Sequence, residues 1–490
     1  MSPSPFDLFF NPRGVVVAGA STHPGKFGFV ALHNVLAGGF SGRLFATNPE
    51  QPTILGVETL ASVDEVPHGA ADLVMVCTPP QACPDILRSA ADRGIGAAFI
   101  ASGGFREAGA EGSRAEDQLI ELAHSLGIVV AGPNGQGLIS TPAKLAAQIV
   151  APVPPAGPIA VASQSGNLVS AFMNYAAHSG VGISRAVSAG NAAMVGVVDY
   201  LGWFANDPFT KAMAAYVEGV GDGRRFATAI REAAAAKPVV LVKGGTTARG
   251  AQAAASHTGA LATDDRLFDG IVRQSGAVRA ATIEEAYDAA AAFATQPLPA
   301  GPRTLVLSSA GGWGVIAADA VSNSDLELIP LPSDLEASID GLVPPRWSRN
   351  NPIDLAGGES RDTIPDAINL VADHPEVDAV IYLGMGIQAN TASHLRSGPY
   401  FESADLARIC DYHERQDGRF AKAAAEASVR TGKPILAATE LAVTQPGNAG
   451  AVAMAAEGRY CFPSADRAVR ALNHLWRHAR WRNRHCSAAS

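Results

Sequence analysis

A threefold repetition of one local pattern constrains this fold more than any other feature. The apolar runs "GVVVAGAS" (14–21), "GPIAVASQSG" (157–166) and "RTLVLSSAGG" (303–312) each end in a turn of small residues. Each reads as a strand followed by a tight turn that opens a helix. Every third of the chain then supplies a second such run: "ADLVMVCTPP" (71–80), "KAMAAYVEG" (211–219) and "VDAVIYLGMG" (377–386). A third follows: "GAAFIASGGF" (96–105), "KPVVLVKGG" (237–245) and "KPILAATE" (433–440). Ala-rich segments at helical spacing, such as "PDILRSAADRG" and "RRFATAIREAAAAKP", lie between them. Continuous rather than alternating apolar strands imply parallel sheets covered by helices on both faces. The predicted fold is α/β, with three Rossmann- or flavodoxin-like doubly wound domains at 1–150, 157–298 and 302–480. Pro-rich stretches at "APVPPAGP" (151–158) and "TQPLPAGP" (295–302) read as the linkers. Ligands of such sheets bind beyond the carboxyl ends of the strands, where these turns sit.

The balance of charge narrows the ligands. With 37 basic against 46 acidic residues, a net −9, the chain offers no broad attraction for nucleic acid or an anionic membrane. An anion must be met by a local site. The five cysteines are odd in number and lack CxxC spacing, so neither a disulfide framework nor a zinc site is predicted, and the cytoplasm is the expected compartment. "MSPSPFDLFF" has no secretory character, and no apolar run approaches the roughly 18 residues of a membrane span.

The first module's turn, "GASTHPGKFG", is not a nicotinamide fingerprint. After Gly19 the next two glycines of G-x-G-x-x-G fall on Ser21 and Pro24, and the second strand ends in Asn48 and Pro49 where an acid is wanted.

In the second module, "AAASHTGALA" (253–262) sets His257 among residues too small to shield it. A neutral imidazole is a good nucleophile toward phosphorus, and attack on an acyl phosphate would store the phosphoryl group as phosphohistidine. Such a ring needs a carboxylate to aim it, and Glu218, at the end of a predicted central strand, is the first choice. The phosphoryl oxygens need donors. "SQSGNLVSAF" places Ser165, Gly166 and Asn167 at a predicted helix N-terminus, an anion site without Lys or Arg, and Gly311 and Gly312 of "SSAGGWG" offer a second cradle. The small residues around His257 predict a mobile loop. Plainer readings stand beside these: a strand-end Glu is often only a hydrogen-bond acceptor, "SQSG" an N-cap, and "NPIDL" (351–355) a turn with an Asp cap. A Ser–His hydrolase built on Ser165 and His257 fails for want of a G-x-S-x-G elbow.

The motifs gain specificity as a series. "GAS…GKFG", "NP", "TPP", "SGGF", "GPNGQG" (132–137), "SQSGNL", "VSAGN", "YVEG", "ASHTGALA", "SSAGGWGV" and "NPIDL" occur in order over most of the chain. In this the chain resembles the nucleoside-diphosphate-forming (ADP-forming) acyl-CoA synthetases, whose superfamily includes the succinyl-CoA synthetase α subunit. The resemblance implies a CoA site lined by Gly19, Ser21, Phe27, Gly28, Asn48, Pro49, Pro79 and Phe105, with His257 as phosphoryl carrier and Glu218 beside it. It also implies phosphate and a small acyl-CoA or carboxylate as substrates, and an oligomeric assembly. ADP or ATP, with Mg, is expected on a separate ATP-grasp β subunit, since this chain has neither that domain nor a Walker A motif. No metal is expected on the chain itself. One departure stands out: Met194 occupies about the place after "SAGN" where the family carries an acid. The competing reading is a non-catalytic, CoA-binding regulatory protein that keeps the scaffold. Relatives fused to an acetyltransferase domain lose the histidine.

Overall fold

A computed structural model describes residues 4–150, 153–258, 264–355, 362–401, 403, 405–441, 444–445 and 447–485, without the side chains of 254–258. Each repeat of the sequence pattern builds a parallel sheet. The first runs Arg43–Thr47, Gly14–Ala18, Leu73–Val76, Ala97–Ile100, Val129–Ala131 across its width. The second places Ile183–Ser188, Ala156–Ser163, Ala212–Val217, Val239–Lys243 and Val278–Ala280 side by side. In the third the order is Glu327–Leu328, Arg303–Ser308, Ala379–Leu383, Ile435–Ala438, Cys461–Phe462, with Ile353–Asp354 also paired to Arg303–Ser308. Counted in chain order, with Ile353–Asp354 set aside, all three follow 2-1-3-4-5, the flavodoxin-like arrangement. Its switch point, where ligands bind, lies between the first and third strands. The continuous apolar runs have a simple cause: Gly14–Ala18, Leu73–Val76 and Ala97–Ile100 are buried at every position.

The sheets do not end where the Pro-rich stretches suggested. The first sheet stops at Ala131, and the next two strands, Gly137–Ser140 and Leu145–Gln148, extend the second sheet by antiparallel pairing to Ile183–Ser188. One apolar core accordingly holds Val15, Leu73 and Phe99 together with Leu138, Ala160, Val187 and Tyr200. The chain divides into two compact units, Met1–Ala176 with Gly182–Ile283, and Ala177–Val181 with Glu284–Ser490. The helix Ile283–Thr295, placed by sequence with the second module, falls almost wholly in the later unit. There Ala286 through Ala294 are buried, and Asp288 accepts from Tyr460 Oη at 2.8 Å and Arg467 Nε at 2.6 Å. Proline marks a connection; apolar cover decides what folds together.

Among the described residues no helix is long and apolar enough to cross a membrane.

One buried acid in the later unit makes its stability depend on pH. Asp417, fully buried on the helix Leu406–Thr431, accepts from the backbone N–H of Gly386 at 2.9 Å and Ala389 at 2.7 Å. Burial outweighs these bonds and pushes its carboxyl up to about 6. The folded state therefore holds this proton more tightly than the unfolded chain, whose carboxyl titrates near 3.8. The contribution is fully present below that value and is lost as pH rises through 6. Denaturant titrations should show this unit weakening between about pH 4 and 6. Asp417→Asn should flatten that slope; an unchanged slope would assign it to other groups.

Candidate functional site

At the switch point of the first sheet, Gly19 turns the chain at φ +84° and the helix Phe27–Ala37 starts close behind. A Cβ on Gly28 would stand 1.9 Å from the Gly19 carbonyl oxygen, so only glycine lets the helix start this near the turn. Lys26 stands at the N-cap of that helix without a side-chain capping hydrogen bond. Ser21 Oγ accepts from His23 N at 3.1 Å, and Asn48 Nδ2 donates to the Ala20 carbonyl at 2.9 Å, fastening the second strand's turn to the first. Pro49 is exposed beside it, and exposed Pro79 follows the Cys77–Thr78 turn that touches Gly19. Phe27 is 49% exposed. A glycine cradle at a helix N-terminus fits a diphosphate-bearing ligand such as CoA. Phe105 differs from this group: its ring is 2% exposed and packs with Val16, Val76, Leu87 and Leu119 in the core, leaving only its backbone at the turn. Alternation at a strand end decides which way a side chain faces, and "SGGF" does not encode it.

The switch point of the second sheet brings Glu218 to Ser165 and Gly166. Gln164 knits the two turns: its Oε1 accepts from Glu218 N at 2.5 Å and Gly219 N at 3.3 Å, while its Nε2 donates to the Gly219 carbonyl at 3.3 Å. Glu218 is 6% exposed. Tyr216 hydrogen-bonds its carboxylate, and burial together with that negative charge pushes the Tyr216 phenol up to about 12. Ser163 Oγ accepts from Ser165 N at 3.0 Å and donates to the Ser165 carbonyl at 2.7 Å, holding the turn before the helix Gly166–Ser179. Gln136 of "GPNGQG" lies over this helix start. Its Nε2 donates to Asn167 Oδ1 at 3.0 Å, and its Cδ is 2.3 Å from where a Gly166 Cβ would be.

His257 stands in the last turn of the helix Ala248–Thr258, and its side chain lies outside the described residues, as do residues 259–263. The expected loop is thus helical as far as Thr258. The run "ARGAQAAAS" is rich in Ala, the strongest helix former.

In the later unit Gly311 opens the helix Gly311–Ser322 and Gly312 faces open space. The Asp354 carboxylate of "NPIDL" reaches within 2.5 Å of where a Gly311 Cβ would be. A carboxylate at a helix N-terminus is favourable, and a phosphoryl group arriving there would meet a like charge.

Sequence reasoning passed over a clasp between the first and second modules. Asn191 Nδ2 donates to Glu107 Oε2 at 2.6 Å and to Glu116 Oε2 at 2.8 Å, while Glu107 Oε1 accepts from Gly104 N at 2.6 Å. Asn191 closes the quoted motif "VSAGN", but its partners lie 84 and 75 residues away. Met194 sits on the same turn, its sulfur accepting from Val130 N at 3.1 Å. This turn and the one after Glu218 border a cavity of about 510 Å³. Among the described residues no group of three or more His, Cys, Asp and Glu side chains could hold a metal ion.

Comparison with known proteins fits this layout. Three family models match in order: a CoA binding domain over residues 13–141, a succinyl-CoA ligase like flavodoxin domain over 156–293, and a ligase-CoA domain over 304–390. The α subunit of acetate–CoA ligase [ADP-forming] I from Pyrococcus furiosus is 33% identical, across 98% of this chain and 99% of its own. The chain belongs to the ADP-forming acyl-CoA synthetase (acetate–CoA ligase) family. A 4-hydroxybutyrate–CoA ligase [ADP-forming] from Nitrosopumilus maritimus is also 33% identical, but the match takes in 78% of this chain and only 54% of that protein. The solved apo form of the dinucleotide forming acetyl-coenzyme A synthetase 1 of Ca. Korarchaeum cryptofilum superposes with a TM-score of 0.83 at 29% identity, covering 99% of this chain and 100% of its own. Its complex with phosphate and ADP gives 0.82.

Proposed function

We propose that this chain is the α-type subunit of an ADP-forming acyl-CoA synthetase. The net reaction is acyl-CoA + ADP + phosphate ⇌ carboxylate + CoA + ATP. The observation that carries the reading is the second switch point, where a buried carboxylate, Glu218, is tied through Gln164 to the turn that opens the helix at Gly166. Phosphate attacks the acyl carbon, CoA leaves as the thiol, and His257 takes the phosphoryl group from the acyl phosphate, releasing the carboxylate. The N–H groups of Gly166 and Asn167 and the Ser165 hydroxyl hold the phosphoryl oxygens, the Ser165 N–H being given to Ser163 Oγ, and Glu218 accepts from the far nitrogen of the imidazole. CoA supplies the thiol and binds through the Gly19–Gly28 cradle, with Ser21, Asn48, Pro49, Phe27 and Pro79 around it. Phe105 contributes only backbone.

The phosphoryl group then passes to ADP on a separate ATP-grasp β subunit, which also carries the nucleotide's Mg. Two comparisons support a separate partner: the relative matched end to end is called subunit alpha, and a longer relative extends well beyond the matched part. At Met194, where the family carries an acid, the sulfur instead accepts from Val130 N at 3.1 Å. Retention of His257 and Glu218 argues against a purely regulatory protein.

The test is transfer of label. Labelled phosphate with acyl-CoA should leave an acid-labile, base-stable phosphoryl group on the chain. Glu218→Gln should slow labelling about ten- to a hundredfold, because a hydrogen bond to a charged group contributes roughly 1.5–3 kcal/mol. Labelling at the parent rate would remove Glu218 from the mechanism.

A further inference from the structure

We propose that Asn191 is a positioning residue for the first chemical step: its amide holds the turn after Ala97–Ile100, on the CoA side, in register with the phosphoryl-side turns of the second sheet. The inference rests on the acyl-CoA synthetase reading above and deepens it by naming the side chain that aligns the two switch points.

Three segments meet at this amide. Its nitrogen donates to two carboxylates, Glu107 Oε2 at 2.6 Å and Glu116 Oε2 at 2.8 Å, and its Oδ1 accepts from Asn134 Nδ2 at 3.4 Å. Ionised carboxylates only accept, and an amide nitrogen can serve both without adding charge of its own. The Glu116 side chain is fully buried, and Arg106 Nη2 balances it from the other oxygen at 2.9 Å.

What the amide restrains lies on the CoA side. Its own turn is also held by backbone bonds, from Asn191 N to the Pro133 carbonyl at 2.9 Å and from Ala193 N to that of Gly132 at 3.1 Å. Glu107 passes the restraint on, its Oε1 accepting from Gly104 N at 2.6 Å and Phe105 N at 3.2 Å. That turn abuts the one bearing Pro79: Ser102 Oγ donates to the Thr78 carbonyl, and a Cβ on Gly104 would stand 3.0 Å from Pro80 Cγ. The Phe105 ring is anchored in the core, so freedom released here falls on Gly103 and Gly104.

On the other side the path is equally short. Ala189 N donates to the Ser163 carbonyl at 2.7 Å, and Ser163 Oγ accepts from Ser165 N before the helix start at Gly166. A chain of bonds thus runs from the turns beside the proposed CoA cradle to the proposed phosphoryl cradle, and it crosses between modules at the bond from Asn191 to Glu107. A thioester carried on the first module has to meet phosphate held on the second. Misplacement by about 1 Å can slow such a reaction about a hundredfold without weakening binding.

The experiment follows uptake of labelled phosphate by the full chain at rising concentrations of acetyl-, isovaleryl- or phenylacetyl-CoA, whichever labels the parent fastest, beside calorimetric titration with CoA. Asn191→Ala should lower the saturating rate about ten- to a hundredfold, with the half-saturating acyl-CoA concentration and the CoA affinity held within about twofold. Asn191→Asp sets a third carboxylate against Glu107 and Glu116, with Arg106 the nearest cation. A proton shared among them rebuilds the bridge, so its rate relative to the parent should climb as pH falls from about 8 to 6, while that of Asn191→Ala stays low. Such recovery on one sample separates lost alignment from a lost fold. A saturating rate in Asn191→Ala within about twofold of the parent, a loss expressed only as weaker acyl-CoA binding, or parallel pH profiles for the two variants would overturn the inference. A parent protein that takes no label from any of the three thioesters would sink the synthetase reading and this inference with it, an outcome distinct from a labelled parent matched by its variants.

Discussion

His257→Ala should take up no acid-labile phosphoryl label from any combination of acyl-CoA and phosphate, while its titration with CoA stays as in the parent protein. Among the twelve histidines His257 alone falls in the family's "SHTG" motif, and a phosphohistidine cannot form without the ring. The Gly19–Gly28 cradle proposed for CoA lies in another sheet and depends on backbone contacts that the substitution does not touch. The two readouts therefore separate loss of the carrier from loss of the fold. Label retained in His257→Ala would place the phosphoryl group on another residue. An acid-stable label would mean phosphoester rather than phosphoramidate chemistry. On the proposed reading, in which ADP sits on a separate subunit, full turnover by the parent protein should appear only when a protein bearing an ATP-grasp domain is added.

The parts of this architecture legible in sequence are those fixed by local burial. Strands such as Leu73–Val76, Val239–Lys243 and Ala379–Leu383 are buried throughout, so their composition alone announces them. Glu218 and Gly166 could be placed at strand-end turns for a related reason: they lie just after Ala212–Val217 and Ala156–Ser163, at turns whose place in a 2-1-3-4-5 sheet is set by topology. What stayed hidden depends on distant partners. Val129–Ala131 and Val278–Ala280 are three residues long and acquire strand character only from their neighbours. The Asn191–Glu107–Glu116 clasp, the tilt of Phe105 into the core and the docking of Gly137–Ser140 on the second sheet join segments dozens of residues apart. No periodicity within either segment foretells them. They also decide how the first and second modules share one core.

The ion pair at the centre of that shared core carries a second large expectation. Arg185, 1% exposed, donates from Nε and Nη2 to the two Asp207 oxygens at 3.1 Å each, and from Nη1 to the Phe10 carbonyl and Asn11 Oδ1, also at 3.1 Å. Its guanidinium lies 5.3 Å from the Trp203 ring centroid and 5.9 Å from that of Phe10. One side chain thus fastens the N-terminal helix Pro5–Phe10 to the second sheet. Asp207→Ala leaves the guanidinium buried with neutral acceptors only, a change that typically costs about 3–5 kcal/mol. The unfolding transition of the unit built from Met1–Ala176 and Gly182–Ile283 should fall by that amount in guanidinium chloride, with the later unit unaffected. Adding Arg185→Met to Asp207→Ala should restore much of the loss, because the buried charge leaves with its partner. The recovery separates two explanations. A double variant as unstable as the single one would mean that the bonds from Arg185 to Phe10 and Asn11, rather than the cost of an unpaired charge, hold the helix in place.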